Sequence, residues 1–340
     1  MKSEIGSEFW NVPTGDSKTT FFPKDTKWFI SGTSALKYIL EDIEAEKEVK
    51  SASLPSWCCS CMITPFIEKK LTVSFYDVYF DEENGLSVDF TNAAESDITL
   101  VLSYFGYSAL HIVGKPSGLI IRDITHSIFT SKVYDDAIYY FGSIRKWMGV
   151  WTGGFAYKKN SWMTDIAIPL VSSAYVKLRE SAMLQKMEYL DHTREDKHYL
   201  EIFEEAENYL DLCEIEGAAS RDVELISFID IPNIVRKRRA NAEVLISALS
   251  SISLFPDIKP GDCPLFVPIL LDENIRNGLR GYLISKKIYC PIHWDVSEYH
   301  NLNSKTDKLY KQELSLVCDQ RYDMEDMYRI IEEVTAFMAV

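Results

Sequence analysis

Gly118-Leu119-Ile120-Ile121-Arg122-Asp123 is a short, largely apolar run that ends in a carboxylate, with Thr125 and His126 directly behind it. It reads as a strand that delivers Asp123 at its carboxyl end, the edge at which open α/β sheets bind ligands. The run from Asp135 through Ala137-Ile138-Tyr139-Tyr140-Phe141 is a second strand, leading into Ser143-Ile144-Arg145-Lys146-Trp147 and then Gly153-Gly154. Two neighbouring strand ends therefore aim a carboxylate and a lysine at one crevice.

Working outward, the first two-thirds of the chain alternates strands with helical patterns. Strands are predicted at Trp28 to Ile30, Leu71 to Val78, Leu86 to Phe90, Ile98 to Phe105 and Gly154 to Tyr157. This is the alternation of an α/β protein with a mostly parallel sheet covered by helices. Ser31-Gly32-Thr33-Ser34 opens a helix with Ala35, Leu36, Ile39, Leu40 and Ile43 on one face. That cluster reads either as a cap alone or as a phosphate site made of free N–H groups and hydroxyls. Glu180 to Leu210 is rich in charge and helix formers, and its charges read as a solvated face. Around Arg236-Lys237-Arg238-Arg239, residues Ile231, Ile234, Val235, Ala242, Leu245, Ile246 and Leu249 recur at helical spacing. The basic run is then the polar face of an amphipathic helix, not a nucleic-acid or import signal. Pro232 marks the boundary between a large domain, 1–232, and a smaller α+β domain, 233–340. The second carries predicted strands at Leu265 to Leu271 and Lys287 to Pro291 and a final helix from Met324 to Phe337.

Lysine, carboxylate and phosphate donors are the three things pyridoxal phosphate requires: an amine for the imine, an anion for the pyridine nitrogen, and N–H or hydroxyl groups for the phosphate. Lys146, Asp123 and the turn Gly32-Thr33-Ser34 supply one of each.

Several segments, in order, carry a resemblance: Ser31-Gly32-Thr33-Ser34-Ala35-Leu36, Leu54-Pro55-Ser56-Trp57, Asp123-Ile124-Thr125-His126, Lys146 followed by Gly153-Gly154, the arginine-rich helix at 236–239, Tyr289-Cys290-Pro291-Ile292-His293-Trp294 and Cys318-Asp319-Gln320-Arg321-Tyr322. Together they resemble the DegT/DnrJ/EryC1/StrS sugar aminotransferases, pyridoxal-phosphate enzymes of fold type I. The resemblance implies that Lys146 is the Schiff-base lysine and proton carrier and that Asp123 holds the pyridinium. It places His126 beside the ring, Gly32, Thr33 and Ser34 on the phosphate turn, and His293 in the sugar or amino-donor pocket. Ser143 is a further phosphate or lysine-orienting candidate, although the family serine aligns nearer Phe141. The family's ring-stacking aromatic aligns with Cys59, its Gly-Glu before the glycine pair with Trp151-Thr152, and its partner-reaching asparagine with Ala219, beside which Arg221 offers charge. The resemblance further implies a homodimer with shared active sites. The activity it implies is transfer of an amino group, from glutamate, to a keto sugar, nucleotide-linked, in cell-surface polysaccharide or secondary-metabolite biosynthesis. The alternatives are dehydration on the same fold, or a catalytically silent binding or assembly protein.

Composition bounds the partners. The 340 residues are 46% hydrophobic, enough for a large core and about two domains. With 36 basic against 51 acidic residues the net charge is −15, which disfavours a phosphate backbone and hence nucleic acid. Met1 to Gly6 shows no signal-peptide core and no apolar stretch is long enough to span a membrane, so a cytoplasmic protein acting on small molecules is expected. Ile98 to Val113, the most apolar region, reads as a buried strand followed by a short helix. Seven cysteines, an odd number, argue against a disulfide framework, and Cys58-Cys59-Ser60-Cys61 lacks the second pair a zinc site needs. The six histidines show no ligand spacing, so no metal is expected.

Overall fold

The computed structural model describes residues 4–91, 93, 95–131, 136–300 and 302–339. Asp135, placed above at the start of a strand, lies outside them. Strands run at β1 Ile5–Gly6, β2 Lys27–Phe29, β3 Ser51–Pro55, β4 Thr72–Asp81, β5 Gly85–Asp89, β6 Ile98–Leu102, β7 His111–Val113, β8 Leu119–Asp123, β9 Tyr139–Ser143, β10 Gly154–Lys158, β11 Val267–Leu270, β12 Ile288–Tyr289 and β13 Glu313–Leu316. Helices run at α1 Gly32–Glu46, α2 Ser60–Glu68, α3 Ser173–Leu190, α4 Tyr199–Asp211, α5 Ser220–Ile226, α6 Ile231–Leu249, α7 Glu273–Ser285, α8 Ser304–Gln312 and α9 Met324–Met338.

A nine-stranded sheet in the order β2-β10-β9-β8-β6-β3-β4-β5-β7 forms the centre. Its middle strands β9, β8, β6, β3 and β4 are parallel, while β10 pairs antiparallel with both β9 and β2. Parallel β8 and β9 end on one edge, with Asp123 opposite Phe141. Because β10 reverses direction twice over, β2 also ends there, with Phe29 opposite Gly154 and Gly154 opposite Ser143. The expected α/β class is therefore met, and the topology gathers Asp123, the turn after β9 and the start of α1 on one edge of the sheet.

Helix α1 buries Ala35, Leu36, Ile39, Leu40 and Ile43 against the sheet, and the Ser31 hydroxyl caps it by accepting from the Ser34 N–H at 3.1 Å. Its first turn lies against the glycine pair. Gly153 sits at φ +142°, and a Cβ on Gly154 would stand 1.9 Å from the Ser31 carbonyl oxygen. The pair thus lets the start of α1 pack directly on β10. Gly154→Ala is expected to cost about 3 kcal/mol or more, since an immovable backbone atom opposes the methyl; a urea midpoint within error of the parent protein would show that the approach is not needed.

Elsewhere the structure adjusts the expectations. Ile98 opens the strand β6 as expected, but turns and the strand β7, not a short helix, fill the stretch up to Val113. Glu180 to Leu210 is two helices, α3 and α4, separated at Asp191 to His198 and packed on each other. Pro232 lies in the first turn of α6, with Asp230 as its cap, so it starts a helix. The N-terminal arm crosses that boundary: Ile5 and Gly6 pair in parallel with Ile288 and Tyr289.

Two charges read as solvated, Lys186 and Arg238, are buried, and so is Arg179, just before the charged stretch. Arg179 and Lys186 on α3 and Arg238 on α6 are each 1% exposed or less. They occupy apolar registers: Arg179 and Lys186 share a stripe with Tyr175, Ala182 and Met183, and Arg238 shares one with Ile234, Ala242 and Leu245. Helix α3 packs under the N-terminal arm, where the Lys186 ammonium donates to the Glu8 carbonyl and faces Trp10. Burial pushes that lysine down to about 7. Arg238 donates to Gln320 and to the carbonyls of Pro264 and Leu265, with its guanidinium 4.4 Å above the Trp147 ring. It thereby ties the turn that bears Lys146 to the C-terminal region.

Candidate active site

The turn Ile144–Lys146 follows β9 directly, which places Lys146 at the rim of a cavity of about 440 Å³. Arg145, Glu207, Arg238, His293 and Arg321 also line it. Lys146 is exposed to that space and makes no hydrogen bond or ion pair among the described residues. Its neighbour Arg145 is paired with Glu207, which also binds Arg179 at 3.2 Å. Burial alone would raise the Glu207 carboxyl, but the charges of Arg145, Lys146 and Arg179 outweigh it and hold the group ionised. Glu207 comes from α4, inside the stretch read as a solvated face. It follows Phe203 by four residues on the packed side of that helix, the one sequence signal that could have found it.

Asp123 is 2% exposed at the end of β8. One carboxylate oxygen accepts the Thr125 N–H at 2.7 Å, and no cation pairs with it among the described residues. Burial therefore pushes its pKa up to about 6, against the opposing pull of Thr125. A buried carboxyl lacking a cation fits a ring nitrogen that carries a proton. His126, in the following turn, lies parallel to the Trp294 ring at 5.5 Å and edge-on to His293 at 5.4 Å. Burial, then the nearness of His293 and Lys146, pushes it well below its usual value, so it stays neutral at pH 7.

Gly32 and Ser143 adjoin, a Cβ on Gly32 falling 3.5 Å from that of Ser143. The Ser143 N–H donates to the Thr125 hydroxyl at 3.2 Å. Thr33 lies in the first turn of α1, where the Ser34 N–H is already taken by the Ser31 hydroxyl. Ser34 turns away: its hydroxyl lies 3.2 Å from the carbonyls of Glu214 and Glu216 and accepts the Glu216 N–H at 2.9 Å. The structure therefore brings Lys146, Asp123, His126, Gly32, Thr33 and Ser143 to one edge and commits the Ser34 hydroxyl to a neighbouring segment.

Cys59 and Arg221 are also engaged elsewhere. Cys59 precedes α2 and is disulfide-bonded to Cys61, a local bridge that the odd cysteine count did not anticipate. Trp57 is wholly buried, stacked on Tyr104 at 5.2 Å. Arg221 pairs with Asp222 at 2.9 Å and covers the Trp151 ring. Asp222 in turn accepts the Thr152 N–H and hydroxyl, both at 2.8 Å, and Thr152 accepts the Ala219 N–H. The departures at 151–152 and 219–221 are thus parts of one internal network. Among the described residues no group of three or more potential ligands could hold a metal, and no helix is long and apolar enough to cross a membrane.

No family model and no curated protein matches the sequence. Solved structures match the fold across most of the chain. The putative sugar aminotransferase Spr1654 from Streptococcus pneumoniae, in its PLP form, superposes with a TM-score of 0.63 at 13% identity, covering 92% of this chain and 86% of that one. A DegT DnrJ EryC1 StrS aminotransferase from Brucella abortus gives 0.56 at 13% identity, covering 92% and 85%. DesI, solved in the presence of its TDP-sugar product, gives 0.60 at 13% identity, covering 92% and 80%. The chain has the fold of these sugar aminotransferases.

Proposed function

We propose that this protein is a pyridoxal-phosphate-dependent aminotransferase that moves an amino group from glutamate to a nucleotide-linked keto sugar. The observation that carries the reading is a buried Asp123, paired with no cation among the described residues, and an exposed Lys146 after the adjacent strand end. When bound, pyridoxal phosphate supplies an aldehyde that takes up amines and a ring that accepts electrons. Lys146 would hold the cofactor through its amine and, released by the incoming donor, carry the proton between carbon atoms. Asp123 would keep the ring nitrogen protonated. Neutral His126 would lie beside the ring, and Gly32, Thr33 and Ser143 would hold the phosphate. His293, which lines the cavity, would face the substrate.

The TDP-sugar found with DesI supports a nucleotide-linked acceptor. The family resemblance supports a cytoplasmic homodimer with shared active sites, serving cell-surface polysaccharide or secondary-metabolite biosynthesis. A second reading, a catalytically silent assembly protein, draws on the committed Ser34 hydroxyl and on Ala219, which offers no side-chain donor. A visible spectrum separates the two. The purified protein is expected to gain absorbance with pyridoxal phosphate and to change it on adding glutamate; failure to bind the cofactor would overturn the aminotransferase reading.

A further inference from the structure

Glu313 is wholly buried at the start of β13, and nothing in the chemistry assigned above uses it. Both of its carboxylate oxygens accept hydrogen bonds. One accepts the His293 backbone N–H at 2.6 Å, and the other accepts the Ser315 hydroxyl at 2.5 Å. Ser315 is also wholly buried and lies 3.0 Å from His293 Nδ1. A serine hydroxyl has a single proton. With that proton given to Glu313, Ser315 can only accept from the histidine, so Nδ1 carries the hydrogen. In the neutral ring Nε2 is then bare, and it has no hydrogen-bond partner among the described residues; the Glu313 oxygen that accepts from Ser315 also lies 3.7 Å from Nδ1 and favours the hydrogen there. The side chain is 11% exposed and lines the cavity that Lys146 borders.

We propose that Glu313, acting through Ser315, is a positioning residue that fixes His293 in one tautomer, so that Nε2 faces the cavity as a hydrogen-bond acceptor for a hydroxyl or ammonium group of the substrate. The proposal deepens the aminotransferase reading and rests on it for the word substrate. It also gives a selection rule. A hydroxyl donor at that point is bound, whereas a carbonyl or carboxylate oxygen meets a second lone pair and is refused. A polyhydroxylated acceptor satisfies the rule. The other groups around the imidazole leave this arrangement unopposed: His126 presents its ring edge-on and accepts the Phe105 N–H at Nδ1, while Phe105 and Phe266 are apolar. Arg276 donates to the backbone carbonyls of Glu313, at 3.2 Å, and Tyr310, at 3.5 Å, and makes no ion pair with the Glu313 carboxylate among the described residues.

Nitrogen-15 NMR of the histidine rings in the full-length protein tests the relay without any substrate. His293 is assigned from its loss in His293→Gln. The expected spectrum at neutral pH shows a protonated Nδ1 and a bare Nε2. Ser315→Ala removes the acceptor and should bring the two nitrogens to intermediate shifts, with the fold retained. In Glu313→Gln the amide oxygen can keep only one of the two hydrogen bonds, and to hold the His293 N–H it must turn its NH2 to Ser315, which frees the serine proton for Nδ1 and moves the ring hydrogen to Nε2. A parent protein with the hydrogen on Nε2, or a tautomer unmoved in Ser315→Ala, would overturn the relay. Addition of glutamate to the cofactor-loaded parent protein is a separate test. An unresponsive spectrum there counts against the aminotransferase reading and leaves the tautomer result standing.

Discussion

Lys146→Ala is expected to abolish the glutamate-dependent change in the visible spectrum and to lower transamination by about four orders of magnitude, the upper range for loss of a positioned proton carrier. The fold should survive. Lys146 is exposed, sits in a short turn and makes no hydrogen bond or ion pair among the described residues, so stability should change by about 0.5 kcal/mol or less. Its neighbours hold their own arrangement: Arg145 is anchored by Glu207, and Trp147 is held through Arg238 and Gln320. Urea denaturation and absorbance on the same preparation therefore separate chemistry from folding. A variant that keeps the parent spectrum and rate would sink the assignment of Lys146.

Asp123→Asn is expected to move activity and stability in opposite directions. Burial lifts the Asp123 pKa from its ordinary 3.8 to about 6 in the cofactor-free protein. A raised pKa means that the native state binds the proton more tightly than the unfolded chain. The stability linked to it is full below about pH 4 and is lost as pH rises through about 6. At pH 8 the ionised parent protein should stand below the asparagine variant by up to about 3 kcal/mol, two pKa units at roughly 1.4 kcal/mol each. The amide oxygen can still accept the Thr125 N–H, so packing is conserved. The gap should close towards pH 4. Under the proposed role of Asp123, transamination should fall by about 100-fold or more, because the charge that would keep the ring nitrogen protonated is gone. Denaturation of both cofactor-free proteins at pH 4 and pH 8 checks the sign; an asparagine variant less stable at pH 8 would refute it.

The two outcomes share one physical origin. A buried carboxyl without a cation is an unfavourable arrangement in the empty protein, and it becomes favourable only when a protonated ring supplies the missing charge. That cost is a stronger pointer to a cofactor than the spacing of residues, since an aspartate at a strand end is ordinarily a turn former.

Much of the fold could be read before any coordinates. The apolar runs at β8 and β9, the helical stripe after Ser31 and the glycine pair before Phe155 all carry their signal within a few residues. Strand β3 is visible in the sequence only as the Leu54-Pro55-Ser56-Trp57 segment and β13 not at all, because four or five residues are too few for an alternation to stand out, and in both the polar positions are largely buried beside the apolar ones. Of the candidate site, Asp123, His126 and Lys146 lie within 24 positions of one another, so local spacing could propose them. The charged residues that line the cavity with Lys146 follow no such spacing. Glu207, Arg238 and Arg321 converge with Lys146 from α4, α6 and the segment before α9, with Glu8 and Arg321 joined across the chain.

Sequence alone determined the α/β class and the order of the segments, and it singled out Lys146 and Asp123 as the candidates to test, because periodicity and local spacing depend on residues near one another. Tertiary structure decided which charges are buried, that the Ser34 hydroxyl serves its own chain, and that Glu313 lies against His293. Such pairings join residues whose separation along the chain carries no pattern, and whether a charge is costly or useful depends on what else is excluded from water beside it.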